Sequence, residues 1–343
     1  MPRMNKKKVR ELIVNGGIFA VVMALTFWSV FRNQNFAEIA EAVGQMSREY
    51  LAASVFLAVF FVAGEGCMIC YLLKGIGEWT TLPRCISYSF IGFFFSGITP
   101  SATGGQPMQL YYMKRDGNSL SASSVVLMTV AVIYKFVLVL IGIGILLFWG
   151  APLRNYLQAY YGLYFLGLFL NVVLVAILLK VMFSQRTIRK CFYQIENIMV
   201  RFRLWRRTED RREKVEQFLS GYQETVAFLR SHKRLIGVTI AGTFLQRFSV
   251  FVLTYAVYRG LGLSGVAMLD VVLVQAAVYI AVDMLPIPGA QGITEAMYRC
   301  VFQNIFVGKY LVVSVCIARG VSFYLMLLVG LVVFCVVRLE RNS

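Results

Sequence analysis

Six charged side chains stand inside otherwise apolar stretches of this sequence: Glu65, Lys135, Arg247, Asp283, Glu295 and Arg319. An ionised group at the centre of a membrane helix costs about 2.5–3.5 kcal/mol on insertion scales, so six unpaired ones would cost roughly 15–20 kcal/mol. That is more than most folds hold in reserve. Three acids and three bases can pair with one another, which is the purely structural reading of the set. The chemical reading is a polar path along which a charged headgroup moves while its hydrophobic tail stays in the bilayer. Arg247 and Arg319 suit a phosphate, because a guanidinium forks onto two oxygens. Lys135 would supply a third contact to phosphate or carboxylate. Glu65 would either receive a cationic headgroup or hold Lys135. Glu295 follows a helix break closely, where the helix dipole favours negative charge, so helix capping is its plain alternative role.

Two breaks in apolar runs accompany these charges. The first is Gly97-Ile98-Thr99-Pro100-Ser101-Ala102-Thr103-Gly104-Gly105-Gln106-Pro107, within an uncharged run from Cys85 to Met113. The second is Leu285-Pro286-Ile287-Pro288-Gly289-Ala290-Gln291-Gly292. Hydrocarbon offers no partner to freed backbone groups, so a break at that depth must be buried in protein or face a water-filled cavity. The breaks bring hydroxyls and amides to the path: Thr99, Ser101, Thr103, Gln106, Gln109 and Gln291. Gly104, Gly105, Gly289 and Gly292 are expected to supply positive φ and close backbone approach. The amides that open each second arm would form a small anion site at a helix N-terminus. A kink filled by a neighbouring helix is the bland alternative, and two breaks in matched halves point instead to a transport site.

Composition sets the frame for those residues. Of 343 residues 59% are hydrophobic and 15% charged, which predicts an all-α polytopic membrane protein. The apolar runs are about twice the ten-residue period of a membrane β-barrel. The formal charge of +17 is concentrated at the N-terminus (Arg3, Lys6, Lys7, Lys8, Arg10) and in 184–234, with 13 Lys/Arg against 6 Asp/Glu. Basic clusters beside spans set topology and meet anionic lipid of the inner leaflet. No nucleic-acid-binding motif accompanies them, so nucleic acid is not an expected partner. Cys67 and Cys70 form a CxxC inside an apolar run and read as small apolar residues rather than a redox or metal pair. The single His232 cannot build a histidine metal site, and neither metal nor cofactor is expected. Basic residues precede the uncharged 12–31 and no small-residue cleavage site follows, so that run reads as a span rather than a signal peptide.

Full spans are predicted near 12–31, 50–73, 119–149, 160–183, 235–258 and 310–337. With the basic N-terminus and the 184–234 loop cytoplasmic, 85–113 must begin and end inside, and 263–308 must begin and end outside. Each is broken near its middle into arms too short to cross, so each is predicted to re-enter. The order span, re-entrant element, span then occurs twice with opposite orientation, over 50–149 and 235–337. That is an inverted-topology repeat, with 160–183 as the linking span and 12–31 as an extra helix. The whole chain reads as one integral membrane domain with both termini cytoplasmic in the cell membrane. Within 184–234, Ile195, Ile198, Met199 and Phe202, and then Val215, Phe218, Leu219, Tyr222 and Val226, recur at helical spacing. They predict two amphipathic helices lying on the inner leaflet, with Arg201, Arg203, Arg206 and Arg207 around Leu204 and Trp205.

The motif Thr99-Pro100-Ser101-Ala102-Thr103-Gly104-Gly105-Gln106-Pro107, together with Pro286-Ile287-Pro288-Gly289-Ala290-Gln291-Gly292 and Glu295, resembles the flippase-like membrane region of lysylphosphatidylglycerol synthases. That group is the multiple peptide resistance factor family, with its stand-alone relatives of unknown substrate. The resemblance covers roughly residues 10–338. Ala290 stands where the family often has another glycine. The resemblance implies a bacterial or archaeal cell-membrane protein that moves a phospholipid, an aminoacyl-phosphatidylglycerol or a lipid-linked sugar between leaflets. In full-length members a soluble domain follows and transfers lysine to phosphatidylglycerol. This chain ends at Ser343 just after its last span, so that domain is expected to be absent.

Two other readings stay open on sequence. One is a membrane component of lysylphosphatidylglycerol synthesis that contributes to cationic peptide resistance. The other is a scaffold for a lipid-synthesis enzyme that uses the 184–234 loop, with a separate synthase or glycosyltransferase as partner. No HExxH, GxSxG, aspartate-rich metal pair or Cys/His cluster is present, so the sequence offers no catalytic constellation of its own. No P-loop is present either, which leaves facilitated exchange or ion coupling through the buried acids to move a lipid.

Overall fold

Long uninterrupted apolar runs with good helix formers make the spans, and proline and glycine end them. The computed structural model describes residues 46–99, 102–184, 186–190, 209–284, 293–308 and 310–340, with Ala37, Ala40, Glu41, Gly44 and Gln194 besides. The expected span 12–31, the apex residues Pro100 and Ser101, the second break 285–292, the side chain of Glu295 and the first amphipathic helix of the basic loop lie outside the described residues. Among the described residues every regular element is helical: α1 (Arg48–Gly75), α2 (Leu82–Ile98), α3 (Gly105–Arg115), α4 (Leu120–Leu157), α5 (Tyr161–Phe183), α6 (Glu209–Ser231), α7 (Lys233–Gly260), α8 (Met268–Val282), α9 (Ile293–Phe302), α10 (Tyr310–Arg319) and α11 (Met326–Glu340). A π-helical segment, Gly320–Leu325, joins α10 to α11.

Four apolar helical stretches are long enough to cross a bilayer: Arg48–Gly75, Leu120–Phe183, Lys233–Gly260 and Tyr310–Glu340. The 64-residue stretch is α4 and α5 together, turned back on itself at Gln158, whose φ is +46°. The molecule is therefore an all-α, multi-pass membrane protein, and five of the six expected spans appear as helices. α4 runs past its expected end near 149, with a kink at Trp149. Pro152, three residues on, has no N–H to give the preceding turn, and Tyr156 stacks on Trp149 at 5.5 Å.

Both predicted breaks separate short helices. α2 and α3 have 17 and 11 residues, and α8 and α9 have 15 and 10, against roughly 20 for a crossing. Thr99 is extended at φ −107° and ψ 144°, as a residue before proline should be. α3 then folds back along α2.

The packing follows the duplicated order. α1 lies along α7 in the most extensive helix contact of the molecule. α1 packs on α2 as α7 packs on α8, α2 on α3 as α8 on α9, and α3 on α4 as α9 on α10. Across the halves, α2 packs on α11 as α8 packs on α4. A two-fold exchange of the two copies generates this pattern, with α1 against α7 at its centre. α5 sits outside it, against α4 and α8.

The basic loop departs from expectation. The apolar face of α6 rests on protein rather than on the leaflet: Leu219, Tyr222 and Val226 are buried, and Ser121 of α4 donates to the Phe218 carbonyl at 3.0 Å. Burial pushes the Tyr222 hydroxyl up to about 12. The face that periodicity identified is amphipathic because it must cover the start of α4.

Two glycines let α1 serve as the centre. A Cβ on Gly66 would lie 2.6 Å from the Ile86 Cα and 2.8 Å from the Cys85 carbonyl oxygen, both backbone atoms of α2. A Cβ on Gly64 would lie 3.1 Å from the Gln246 side chain of α7. Gly66→Leu is therefore expected to force α1 from α2 and destabilise the fold by about 1–3 kcal/mol or more. Gly144→Leu, where a Cβ meets nothing within 4 Å, should change little. Thermal unfolding of the detergent-purified variants, compared side by side, measures the difference.

Candidate functional site

Glu65 lies between Gly64 and Gly66, at the level where α2 and α7 approach α1 from two sides. Below it Val62 belongs to one apolar core and above it Ile69 belongs to the other. The Glu65 carboxylate is thus placed at the seam between two dry regions. Its partner is Gln109 of α3, whose Nε2 donates to Oε1 at 2.6 Å. Gln109 is 4% exposed and fills the space over Gly92, where a Cβ would come within 2.4 Å of its Nε2. The α2–α3 hairpin is fastened at its apex and base as well. Thr99 Oγ1 accepts from the Gly104 N–H at 2.9 Å and donates to the Phe95 carbonyl at 2.6 Å. Tyr88 donates to Asp116 at 2.5 Å.

Arg247 of α7 faces the same seam. It is 7% exposed, with its guanidinium carbon 3.6 Å from the ring centroid of Tyr134 and 4.7 Å from that of Phe61. Cation–π attraction of this kind reaches about 2 kcal/mol when desolvated. Nη1 donates to the Tyr279 hydroxyl at 3.4 Å, and the field of Arg247 reaches the Glu65 carboxylate. Its Nε is buried with no hydrogen-bond partner among the described residues. A buried charged donor left without an acceptor is costly.

The remaining groups complete a chain across the halves. Tyr134 of α4 donates to Asp283 at 2.6 Å, and its hydroxyl lies 3.0 Å from that of Tyr279 of α8. Lys135 forms an ion pair with Asp283 and also reaches the Met284 sulfur at 3.4 Å. The cluster draws on α1, α3 and α4 from the first copy and on α7 and α8 from the second.

Several sequence expectations change here. Lys135 is held by Asp283 and not by Glu65, because α4 and α8 pack directly while Glu65 is taken by Gln109 of the hairpin. Among the described residues Lys135 and Asp283 form an ion pair, as mutual pairing of the membrane charges expects; the side chain of Glu295 lies outside the described residues. Neither Gly104 nor Gly105 has positive φ: Gly104 is right-handed at φ −81°, and Ala102 carries the strained value, +55°. Gly105 serves close approach instead, since a Cβ there would come within 2.0 Å of Ser96 Oγ. The Gly104 amide is spent on Thr99 rather than offered to a ligand. Thr103, Gln106 and Pro107 are exposed. Arg319 sits at the start of the π-helical segment with interactions of its own. π segments inside helices recur at functional sites, and nothing in the local sequence announced this one. Sequence reasoning also missed Tyr134, Tyr279 and Phe61, which look like ordinary core aromatics until Arg247 is placed among them.

A family profile described as "Lysylphosphatidylglycerol synthase TM region" matches residues 13–330. A UPF0104 membrane protein of Pyrococcus horikoshii is 28% identical over 270 residues, covering 75% of this chain and 78% of its own length.

The ion pair gives a direct check on the geometry. Lys135→Met strands Asp283 and should destabilise the protein by about 3–5 kcal/mol, whereas the double variant Lys135→Met/Asp283→Leu should recover most of the loss. A double-mutant cycle of unfolding free energies in detergent measures that coupling.

Proposed function

The chain belongs to the family defined by the transmembrane region of lysylphosphatidylglycerol synthases, and on that premise we propose that it is a translocase that carries an anionic lipid headgroup between leaflets. The observation that carries the reading is Arg247: a nearly buried guanidinium, stacked on aromatic rings, with an unused Nε donor, at the seam between the two copies. A phosphodiester oxygen supplies the acceptor that Nε lacks, and the fork geometry of Arg favours a phosphate over a point contact. Tyr134 and Tyr279 add hydroxyls beside it. Substrates of this chemistry are an anionic phospholipid, an aminoacyl-phosphatidylglycerol or an isoprenoid-linked sugar. The acyl or isoprenoid tail remains in the bilayer while the headgroup crosses.

Two broken hairpins on either side of the central α1–α7 pair form alternate barriers. The α2–α3 hairpin closes the seam through Gln109 on Glu65, and α8 and α9 occupy the matching place in the other copy. Rocking one copy against the other about α1 and α7 would expose the seam first to one side and then to the other. In this reading the protein stands in the cell membrane with both termini in the cytoplasm.

The α6–α7 junction then lies at the inner surface. A groove of about 570 Å³ there is lined by Tyr71, Phe228, Lys233 and Arg234 among others. A neighbouring groove of about 500 Å³ runs between Met182, Ile188 and Arg230. We assign these grooves to anionic inner-leaflet lipid, each cation near the surface adding about 1 kcal/mol of attraction. Replacing Arg230, Lys233 and Arg234 together with Gln should lower binding to vesicles rich in phosphatidylglycerol and flatten its salt dependence, as read by vesicle flotation.

Translocation itself is tested in proteoliposomes with fluorescent phosphatidylglycerol, an aminoacylated form and a polyprenyl glycolipid, the outer-leaflet probe being read by quenching or amine labelling. Arg247→Ala should abolish exchange of at least one of these probes, and Arg247→Lys should restore little of it, since an ammonium cannot fork. Gly105→Leu should block exchange by jamming the hairpin against Ser96. Wild-type protein that exchanges none of the panel overturns the reading.

A further inference from the structure

We infer that the anionic headgroup enters the seam together with one proton, carried by Glu65. This rests on the translocase reading and names its coupling ion.

Arg247 stacks on Phe61, one helical turn before Glu65, so the described members of the seam hold two bases, Arg247 and Lys135, and two acids, Glu65 and Asp283. The formal charges of these four sum to zero before any lipid arrives. A phosphodiester monoanion added to it leaves one uncompensated negative charge in low-dielectric surroundings, where such charge is strongly disfavoured. Uptake of one proton restores neutrality.

Glu65 is the group that takes it. Asp283 has two donors fixed on its charge, the Lys135 ammonium and the Tyr134 hydroxyl. Glu65 has a neutral amide and the field of Arg247. Among the described residues the elements packed around it show no other cation in contact with it: α3 offers Gln109 at this level, α2 carries Arg84 alone in its first turn beside Trp79, and Lys135 of α4 is committed to Asp283. In the π-helical segment, which also packs on α1, no residue is charged; Arg319 precedes it with interactions of its own. Among the described residues Glu65 thus depends on the Arg247 guanidinium, which a phosphate would occupy. When the phosphate binds Arg247, Glu65 loses its counter-charge and gains a like charge nearby, and both changes favour the protonated carboxyl.

Gln109 suits such a role. An amide both donates and accepts. Its Nε2 donates to the carboxylate as observed, and after reorientation its oxygen accepts from the carboxylic acid. The hairpin therefore keeps a partner for Glu65 in both protonation states. The proton comes from water on the side of entry, forms an O–H bond on Glu65, and returns to water on the side of exit when the phosphate leaves Arg247. By thermodynamic reciprocity the proton tightens lipid binding by the factor by which lipid tightens proton binding.

The test uses purified full-length protein and short-chain phosphatidylglycerol, whose phosphodiester does not titrate near neutral pH. Affinity is measured from mildly acidic to mildly alkaline pH, and proton uptake is followed with a pH dye in weak buffer. The wild type should take up about one proton per lipid bound, and its affinity should fall about tenfold per pH unit on the alkaline side. Glu65→Gln should bind without proton uptake and with a flat profile. Glu65→Asp should keep the slope, and so should His232→Gln, which removes the chain's one histidine. Binding by the wild type with no proton uptake overturns the coupling and leaves the translocase reading standing. A slope that follows His232 also overturns it. Absence of both binding and translocation for the whole lipid panel overturns the reading itself and the coupling with it.

Discussion

Much of this molecule follows from one constraint: ionised groups placed at membrane depth must be answered by partners brought within a few ångströms. Hydrocarbon offers neither water nor counter-ions, so the partners have to come from other helices. Those helices must approach more closely than bulky side chains permit. The sequence Gly64-Glu65-Gly66 meets both needs in three residues. The glycines admit α7 on one side and the α2 backbone on the other, and the acid between them is met by Gln109. Gly92 and Gly105 do the same within the hairpin, letting α3 lie against α2 so that Gln109 can reach. Close packing and polar satisfaction are thus one requirement here, since a helix held an ångström farther away would leave the charge without its hydrogen bond.

The duplicated packing gives that constraint a second consequence. With α1 against α7 at the centre, polar groups from both copies converge on one seam, and no single copy contains the whole cluster. Glu65, Gln109, Tyr134 and Lys135 come from the first; Arg247, Tyr279 and Asp283 come from the second. A relative movement of the copies must therefore stretch or exchange polar contacts at their interface. Hydrogen bonds to neutral hydroxyls and amides are better suited to exchange than ion pairs, whose separation at low dielectric is expensive. The cluster has both kinds: Lys135 with Asp283 as a fixed link between α4 and α8, and the softer contacts of Glu65, Gln109 and Arg247 beside it.

The outer elements serve this centre. α6 covers the first turns of α4 through Ser121 and Phe218, which ties the basic loop to the first copy. Stacking of Phe94 on Phe334 and the tilted pair of Phe93 with Phe323 secure α2 against the end of the second copy. The π-helical segment sits in that last span, immediately after Arg319. An extra residue per turn rotates the helix around that point, so the faces before and after Arg319 meet different neighbours.

Hydrophobicity, proline and charge by themselves determined the class of protein, the five described spans, both helix breaks and the order span, break, span in each half. These are local or additive properties: a run of apolar residues is long enough to cross or it is not, and a residue before proline leaves the helix wherever it stands. The basic residues also marked the loop that α6 ends. Only the tertiary structure decided who partners whom. Lys135 chose Asp283 over Glu65 because α4 packs on α8, and Glu65 went to Gln109 because Gly92 left room for it. The positive φ fell on Ala102 although glycines stood nearby, because the closed hairpin needs Gly105 for contact rather than for its torsion. Tyr134, Tyr279 and Phe61 became part of a cation site only once α1, α4, α7 and α8 were assembled. Separations of 145 to 149 residues along the chain lie between Tyr134 or Lys135 and the partners that join them to the other copy, and no local pattern encodes a contact made across such lengths.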